Sequence, residues 1–303
     1  MHSYTSPKLS LITILKWQFL KRFNPPHPPL TPMEITYQDT LPEGDYAIWL
    51  GHASVWIHLG ETTIAIDPIV GNIPMYHRYT PLPVPVEQLR TDVILLTHAH
   101  YDHFDKPSVL RLLKKNPKTI IVAPEGFWRY LKGEIAREKC FELGWWESVK
   151  IGGLLITLTP SKHWSKRTPF DTNKALWGGY IIQQEGRTIY HSGDSAYGEH
   201  FKEIGERFEI DEAFLPIGAY LPEEIMKHNH TNPPEALQAG IDLGVRTVIP
   251  IHYGTFNLSD EPMNEPVEWF ERLTQENTYP FKAKSLQIGE IYRFRTTSTF
   301  KST

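Results

Sequence analysis

Thr97-His98-Ala99-His100-Tyr101-Asp102-His103 follows directly on the apolar run Val93-Ile94-Leu95-Leu96. Three imidazoles and one carboxylate between His98 and His103, at a strand exit, are poorly explained by packing. Neutral imidazole and carboxylate are the ligands that zinc, iron and manganese accept. Residues two apart along an extended chain point to one side, so His98 and His100 converge on a single ion. Asp102 and His103 lie past the bend and turn toward a second ion beside it. The stretch therefore predicts a two-metal site at the end of a strand.

The same placement recurs downstream. Ala47–Leu50, Ser54–Leu59 and Thr62–Ile66 read as short strands parted at Gly51 and Gly60, and Asp67-Pro68 ends this meander. A proline-rich connection over Ile73–Val86 leads to the metal-binding strand; a helix over Lys106–Lys115 and a strand over Ile120–Val122 follow. One strand over Ile151–Thr159 delivers Ser161-Lys162-His163-Trp164. A hairpin of Trp177–Gln183 and Arg187–His191 turns at Glu185-Gly186 and ends in Ser192-Gly193-Asp194-Ser195. Glu212–Ile217 leads into Gly218-Ala219-Tyr220, and Thr247–Ile251 delivers His252. Asn232-Pro233-Pro234-Glu235 is a helix start, with Asn232 as N-cap, Pro233 first in the helix and Glu235 closing a capping box. His98, His163, Asp194 and His252 thus each follow on a predicted strand, and strand exits can gather at one edge of a rigid scaffold.

Composition narrows the choice. The 303 residues are 40% hydrophobic and 22% charged, enough to bury a sizeable core. A net charge of -4 gives no basic nucleic-acid footprint, so no nucleic-acid partner is expected. Cys140 is the single cysteine, which excludes an intrachain disulfide and a thiolate metal cage and leaves a buried thiol in a cytoplasmic protein. Leu9–Phe23 is apolar and aromatic, interrupted by Lys16, Lys21 and Arg22, and too short to span a membrane. It reads either as an amphipathic helix on a membrane surface or as an arm packed on the body or on a partner subunit. Residues 1–30 are therefore read as an arm with a stiff proline-rich linker, and residues 31–303 as one domain.

The run His98-x-His100-x-Asp102-His103 followed by His163, Asp194 and His252 resembles the metallo-β-lactamase superfamily, in that family's order. Further motifs narrow the likeness: Ser161-Lys-His163-Trp164-Ser-Lys-Arg167, Asp171-x-Asn173, Leu176-Trp177-Gly178-Gly179 and Pro216-Ile-Gly218-Ala-Tyr220. His230-Thr-Asn-Pro233-Pro-Glu235-Ala and Ile251-His252-Tyr-Gly254-Thr-Phe256 complete them. Together they are similar to the N-acyl-phosphatidylethanolamine-hydrolysing phospholipases D and their bacterial relatives. Tyr253 stands where relatives often carry tryptophan and Ser195 where they often carry threonine; neither removes a ligand.

This resemblance implies an α/β fold, a four-layer αββα sandwich with a dinuclear metal site at one sheet edge. It implies that His98, His100 and His163 hold a first ion and Asp102, His103 and His252 a second, with Asp194 bridging. Two divalent ions are expected, zinc first, with iron and manganese as alternatives. The implied activity is that of a phospholipase D type phosphodiesterase, hydrolysing N-acyl-phosphatidylethanolamine-like lipids by a hydroxide held between the ions. Asp102, Asp194 and His230 are the catalytic candidates, His230 as a substrate or leaving-group contact. Asp67 is an outer residue orienting a ligand, or else a turn-forming Asp-Pro. His52 is a donor behind the ligands or a turn residue, and Tyr220 and Trp177 line a pocket or belong to the core. Lys162, Lys166 and Arg167 would attract phosphate. The competing readings are a lactonase or esterase on a small soluble, phosphorylated or plain, substrate, and a non-catalytic scaffold of the same fold. Expected partners are the lipid or small phosphodiester and, through the arm, the inner membrane face; a homodimer stays open.

Overall fold

In the computed structural model, which describes residues 4–7, 16–17, 19 and 33–295, the predicted strands assemble into two sheets. Edge to edge, the first holds β14 (Ile291–Arg293), β1 (Tyr46–Gly51), β2 (Ser54–Leu59), β3 (Thr62–Ile66), β4 (Val93–Leu95), β5 (Ile120–Pro124) and β6 (Cys140–Leu143). The second holds β13 (Lys282–Ala283), β12 (Thr247–Ile251), β11 (Glu212–Pro216), β10 (Arg187–His191), β9 (Gly179–Gln184), β8 (Leu154–Thr159) and β7 (Ser148–Ile151). Of the apolar stretch Leu9–Phe23, only Lys16, Trp17 and Phe19 are among the described residues; the linker that follows lies outside them.

Period-two alternation builds the layers. Along β1, Ala47 and Trp49 face the core between the sheets, while Tyr46, Ile48 and Leu50 face a second, outer core. β4 repeats this, with Val93 and Leu95 inward and Ile94 outward. Val109 and Leu112 of α1 (Lys106–Lys115) and Leu131 of α2 (Trp128–Leu131) cover the outer face of the first sheet. Phe201 and Ile204 of α3 (His200–Arg207), Ala236 and Leu237 of α5 (Pro233–Leu243) and Phe270 of α6 (Glu265–Glu276) belong to the cluster of the second sheet. The arrangement is the four-layer αββα sandwich that the motifs implied. Cys140 is buried, its thiol pushed up to about 12 by burial and by Glu142, as expected of an inert core cysteine.

Strand direction places the site. β1 runs antiparallel to β2, β2 antiparallel to β3, and β3 parallel to β4, so β1, β3 and β4 end on the same side of their sheet. By the same reasoning β8, β10, β11 and β12 end together in the other sheet. The carboxyl ends of parallel strands are where such sheets bind ligands.

Two local expectations change. The single strand expected over Ile151–Thr159 is a hairpin of β7 and β8, reversed at Gly152-Gly153 where Gly152 takes φ +60°. His252 follows its strand at once, whereas Leu96-Thr97 precede His98 and Pro160 to Lys162 precede His163. Among the described residues no helix is long and apolar enough to cross a membrane.

Candidate metal centre

Exits of β1, β3, β4, β8, β10 and β12 bring His52, Asp67, His98 to His103, His163, Asp194 and His252 together. Two donor sets share no residue: His98, His100 and His163 form one, and His52, Asp102, His103 and His252 the other. Within each set the donor atoms lie within 4.8 Å of one another. Asp194 stands between them. Its Oδ2 is 3.8 Å from His98 Nε2, 3.9 Å from His163 Nε2 and 3.0 Å from His103 Nε2, and its Oδ1 is 3.1 Å from His252 Nε2. Asp102 Oδ2 lies 3.7 Å from both His103 Nε2 and His252 Nε2.

The turns that aim these groups are tight. Gly193, beside Asp194, has φ +61°, and a Cβ there would sit 2.8 Å from the Gly178 carbonyl oxygen and 2.9 Å from Thr97 Cβ. His52, Asp67 and His252 also take positive φ, at 52°, 42° and 67°. Such conformations in non-glycine residues cluster where function demands them.

Hydrogen bonds behind the ring select each tautomer. Thr97 N donates to Asp67 Oδ1 at 2.8 Å and Thr97 Oγ1 to Asp67 Oδ2 at 2.5 Å. With its proton so used, Thr97 Oγ1 accepts from His98 Nδ1 at 3.0 Å. His103 Nδ1 donates to Asp67 Oδ2 at 2.7 Å, and His163 Nδ1 to the Asn229 carbonyl at 2.9 Å. In all three rings the proton points outward, which leaves an Nε2 lone pair facing the centre, the arrangement that metal-binding histidines use. His100 Nδ1 lies 3.2 Å from His163 Nε2.

The donors fit a cation. Nε2 of His98, His100 and His103, both ring nitrogens of His252, both Asp194 oxygens and His230 Nδ1 are buried with no hydrogen-bond partner. Each such atom left unpaired costs about 1–3 kcal/mol, so their concentration at one point is intelligible as a coordination shell. Electrostatics agree. Burial, with His103 next, holds His98 well below the usual imidazole range; burial also takes His100 to about 4 and His163 well down. These rings arrive neutral, as ligands must. Burial opposes charge on His103 and His252 too, yet Asp194 and Asp102 raise His103 well above its ordinary value and His252 to about 9. Burial would likewise raise Asp194, but His103 and His252 hold it well below the carboxylate range. The positive charge those carboxylates call for is the charge a divalent ion brings.

The remaining sequence candidates divide. His230 Nδ1 lies 3.7 Å from Asp194 Oδ2, and burial lowers its pKa to about 4. It is carried between α4 (Glu223–Met226) and α5, where Thr231 Oγ1 donates to the Pro216 carbonyl at 2.6 Å and Asn232 and Glu235 close the expected capping box. Tyr220 lines a cleft of about 260 Å3 beside His230, with Leu221, Lys227, Glu265 and Trp269. Trp177 is instead core: its Nε1 donates to the Ser161 carbonyl at 2.8 Å and its ring meets Trp145 edge-on. Arg167 is not free for phosphate. Its guanidinium donates to the Phe104 and Ala99 carbonyls at 2.6 and 3.2 Å and lies over the Tyr101 and Phe104 rings, clamping the His98–His103 loop from below. His52, left open between two roles by the sequence, is a donor: its Nε2 is 3.1 Å from Asp102 Oδ2. The signal was its position directly after β1, the same signal that marked His252.

The family model for the β-lactamase superfamily domain matches residues 62–253. The chain is 32% identical over 263 residues to a mitochondrial N-acyl-phosphatidylethanolamine-hydrolyzing phospholipase D of Saccharomyces cerevisiae, covering 82% of this chain and 56% of that protein. It is 32% identical over 269 residues to N-acyl-phosphatidylethanolamine-hydrolyzing phospholipase D 1 of Caenorhabditis elegans, covering 82% and 76%. The chain thus spans little more than half of the yeast relative. Among solved structures, a metallo hydrolase from the archaeon Ignicoccus hospitalis superposes with a TM-score of 0.64 at 26% identity, over 83% of this chain and 98% of that one. The chain belongs to the metallo-β-lactamase superfamily, as a metal-dependent hydrolase.

Proposed function

We propose that the protein is a phosphodiesterase of the phospholipase D type, acting on N-acyl-phosphatidylethanolamine-like lipids at a centre of two divalent ions. His98, His100 and His163 would hold one ion, Asp102, His103 and His252 the other, and Asp194 both. The observation that carries this reading is Asp194, buried with two unpaired oxygens between two separate donor sets. Bound divalent ions of this kind, zinc foremost, acidify water, polarise a phosphoryl oxygen and stabilise the leaving oxygen.

The chain's own groups would do the rest. Asp102, accepting from His52 Nε2 and partly open to solvent, is placed to take the proton of the attacking water. His230 stays neutral at ordinary pH and offers an N–H to the departing oxygen. The bond from phosphorus to the N-acylethanolamine oxygen breaks, the water oxygen stays on phosphorus as phosphatidic acid, and the departing alkoxide, hydrogen-bonded by His230, takes up the proton that Asp102 removed from the water. The cleft lined by Tyr220, Lys227, Glu265 and Trp269 reaches His230 and would receive the headgroup, while the acyl chains remain in the lipid surface. We place this activity on the cytoplasmic side, at a membrane surface. A second reading is an esterase or lactonase that acts on a small substrate at the same centre.

Metal-loaded protein should release phosphatidic acid and N-acylethanolamine from mixed micelles of N-acyl-phosphatidylethanolamine, identified by mass, and His98→Ala should not. Absence of turnover by protein carrying about two metal equivalents would discard the lipid and favour small esters and lactones.

A further inference from the structure

Tyr4, Thr5 and Ser6 lie far from the site in sequence and against it in space. Thr5 pairs with His163 in a parallel bridge: His163 N donates to the Tyr4 carbonyl at 3.3 Å, and Ser6 N donates to the His163 carbonyl at 3.0 Å. On its other side the same loop is bridged through Lys162 to Ala196, whose N donates to the Lys162 carbonyl at 2.9 Å. The Lys162-His163 segment is therefore bridged on both sides, by Ala196 on one and by residues 4–6 on the other.

The segment reaches further than one loop. Ser6 is buried, and its Oγ donates to the His228 carbonyl. The next residue, Asn229, provides the carbonyl that accepts from His163 Nδ1, and His230 follows it. Ser6 thus ties the loop that carries His163 to the loop that sets its tautomer. Tyr4 anchors the other end: its hydroxyl donates to Glu203, and its ring meets Trp145 edge-on at 5.2 Å and His200 at 6.4 Å. His200 Nε2 is 2.9 Å from Ser195 Oγ, which accepts from Lys162 N at 2.9 Å, immediately beside Asp194.

We infer that Tyr4–Thr5–Ser6 is a positioning strap of the metal centre, which holds His163 in register with Asn229 and so strengthens binding of one of the two ions. The inference rests on His163 being a ligand, as proposed above. A loop bonded on one side only is free to shift, and ligand misplacement acts on the ion that it touches and spares the other.

The test is zinc titration of metal-free, full-length protein against a chromophoric chelator, with the cobalt-loaded absorption spectrum as a second readout. Ser6→Pro removes both the backbone donor and the hydroxyl. It should weaken one equivalent by about 10- to 100-fold, leave the other unchanged and alter the cobalt bands. Ser6→Ala keeps the backbone pair and loses the hydroxyl's tie to the His228 carbonyl, with its weaker approach to the Lys162 carbonyl at 3.4 Å; about fivefold is expected, the net worth of one hydrogen bond. Ser6→Thr should restore wild-type binding. Should Ser6→Pro not fold, the contrast of Ser6→Ala with Ser6→Thr decides. Wild-type zinc affinity and cobalt spectrum in Ser6→Ala and in any folded Ser6→Pro would overturn the inference. His163→Ala in the same titration separates the two claims. If it keeps both equivalents, the ligand reading fails and the strap falls with it. If it loses one while the Ser6 variants lose nothing, the strap alone is wrong.

Discussion

Asp67→Asn breaks the hydrogen bond that sets the His103 ring and, through Thr97 Oγ1, disturbs the one that sets His98. Asp67 is fully buried and accepts three bonds: from Thr97 N at 2.8 Å, Thr97 Oγ1 at 2.5 Å and His103 Nδ1 at 2.7 Å. Asparagine has the same shape, and it tolerates the φ of +42° that Asp67 adopts. It can keep the acceptor toward Thr97 N, but it then turns an NH2 toward His103 Nδ1. That nitrogen must become an acceptor, the ring proton moves to Nε2, and the lone pair facing Asp102 and Asp194 is lost. A hydrogen bond to a charged group is worth about 1.5–3 kcal/mol net, roughly 10- to 150-fold in an equilibrium constant. Loss of the partner behind a ligand costs about 10- to 100-fold in metal affinity. The two routes agree, so Asp67→Asn should weaken zinc binding by one to two orders of magnitude at the His103 equivalent and, through Thr97 Oγ1, to a smaller extent at the His98 equivalent. Chelator competition gives that number, and thermal unfolding of the metal-free variant checks that the fold survives. Wild-type affinity for both equivalents in a folded Asp67→Asn protein would refute the argument from tautomer to ligand.

Three further outcomes follow from the same geometry. Asp194→Asn should weaken both metal equivalents together and abolish turnover, because Asp194 faces both donor sets; metal analysis showing both retained would contradict its bridging place. His230→Ala removes the N–H offered to the leaving oxygen and should lower kcat by about 10²- to 10³-fold, with two metal equivalents still bound; unchanged kcat on an ester with an acidic leaving alcohol would be the matching control. His200 is held near 3 by burial, then by Lys162, against 6.5 when unfolded. Its folded pKa is depressed, so the stability it contributes is full above about pH 6.5 and falls by up to about 1.4 kcal/mol per pH unit toward pH 3. His200→Gln should flatten that acid limb in melting curves taken from pH 7 to 4, and an identical slope in both proteins would assign the loss elsewhere.

The clustering of the proposed ligands was legible because coordination chemistry leaves marks that a sequence retains. Imidazoles and carboxylates must be dense, and they must leave strands at one edge, so His98 to His103, His163, Asp194 and His252 stood out. Asp67 was legible for the same reason, at the end of β3. What did not show has a common cause: the decisive partner is distant in the chain. Arg167 sits beside Lys166 in a run that reads as cationic, and only its bonds to the Ala99 and Phe104 carbonyls turn it into a clamp. His52 is one histidine in a glycine turn until Asp102 is found beside it. Short strands escape as well: β13 and β14 are held by pairing with β12 and β1, through too few residues to show any alternation. Nothing in Tyr4-Thr5-Ser6 announces that it pairs with His163.

Backbone conformation explains why this centre should depend on its ions for stability. Where the chain turns directly at the end of a strand, a side chain that points back at the centre can be forced into the left-handed region. His52, Asp67 and His252 all lie there. Each such residue costs about 1–3 kcal/mol where glycine would cost little, yet glycine brings no donor atom. The unpaired Nε2 and carboxylate atoms add to that cost. Asp194 lies at hydrogen-bond distance from His103 and His252, 3.0 and 3.1 Å, which offsets part of this cost only while those rings carry a proton, whereas Nε2 of His98 and of His100 has no partner at all. A ligand at a thousand times its dissociation constant stabilises a fold by about 4 kcal/mol, enough to offset one or two of these terms. Chelation should therefore lower the melting temperature of the wild-type protein, and restoring zinc should recover it. His252→Gly should respond much less, because it sheds backbone strain and a donor in the same step.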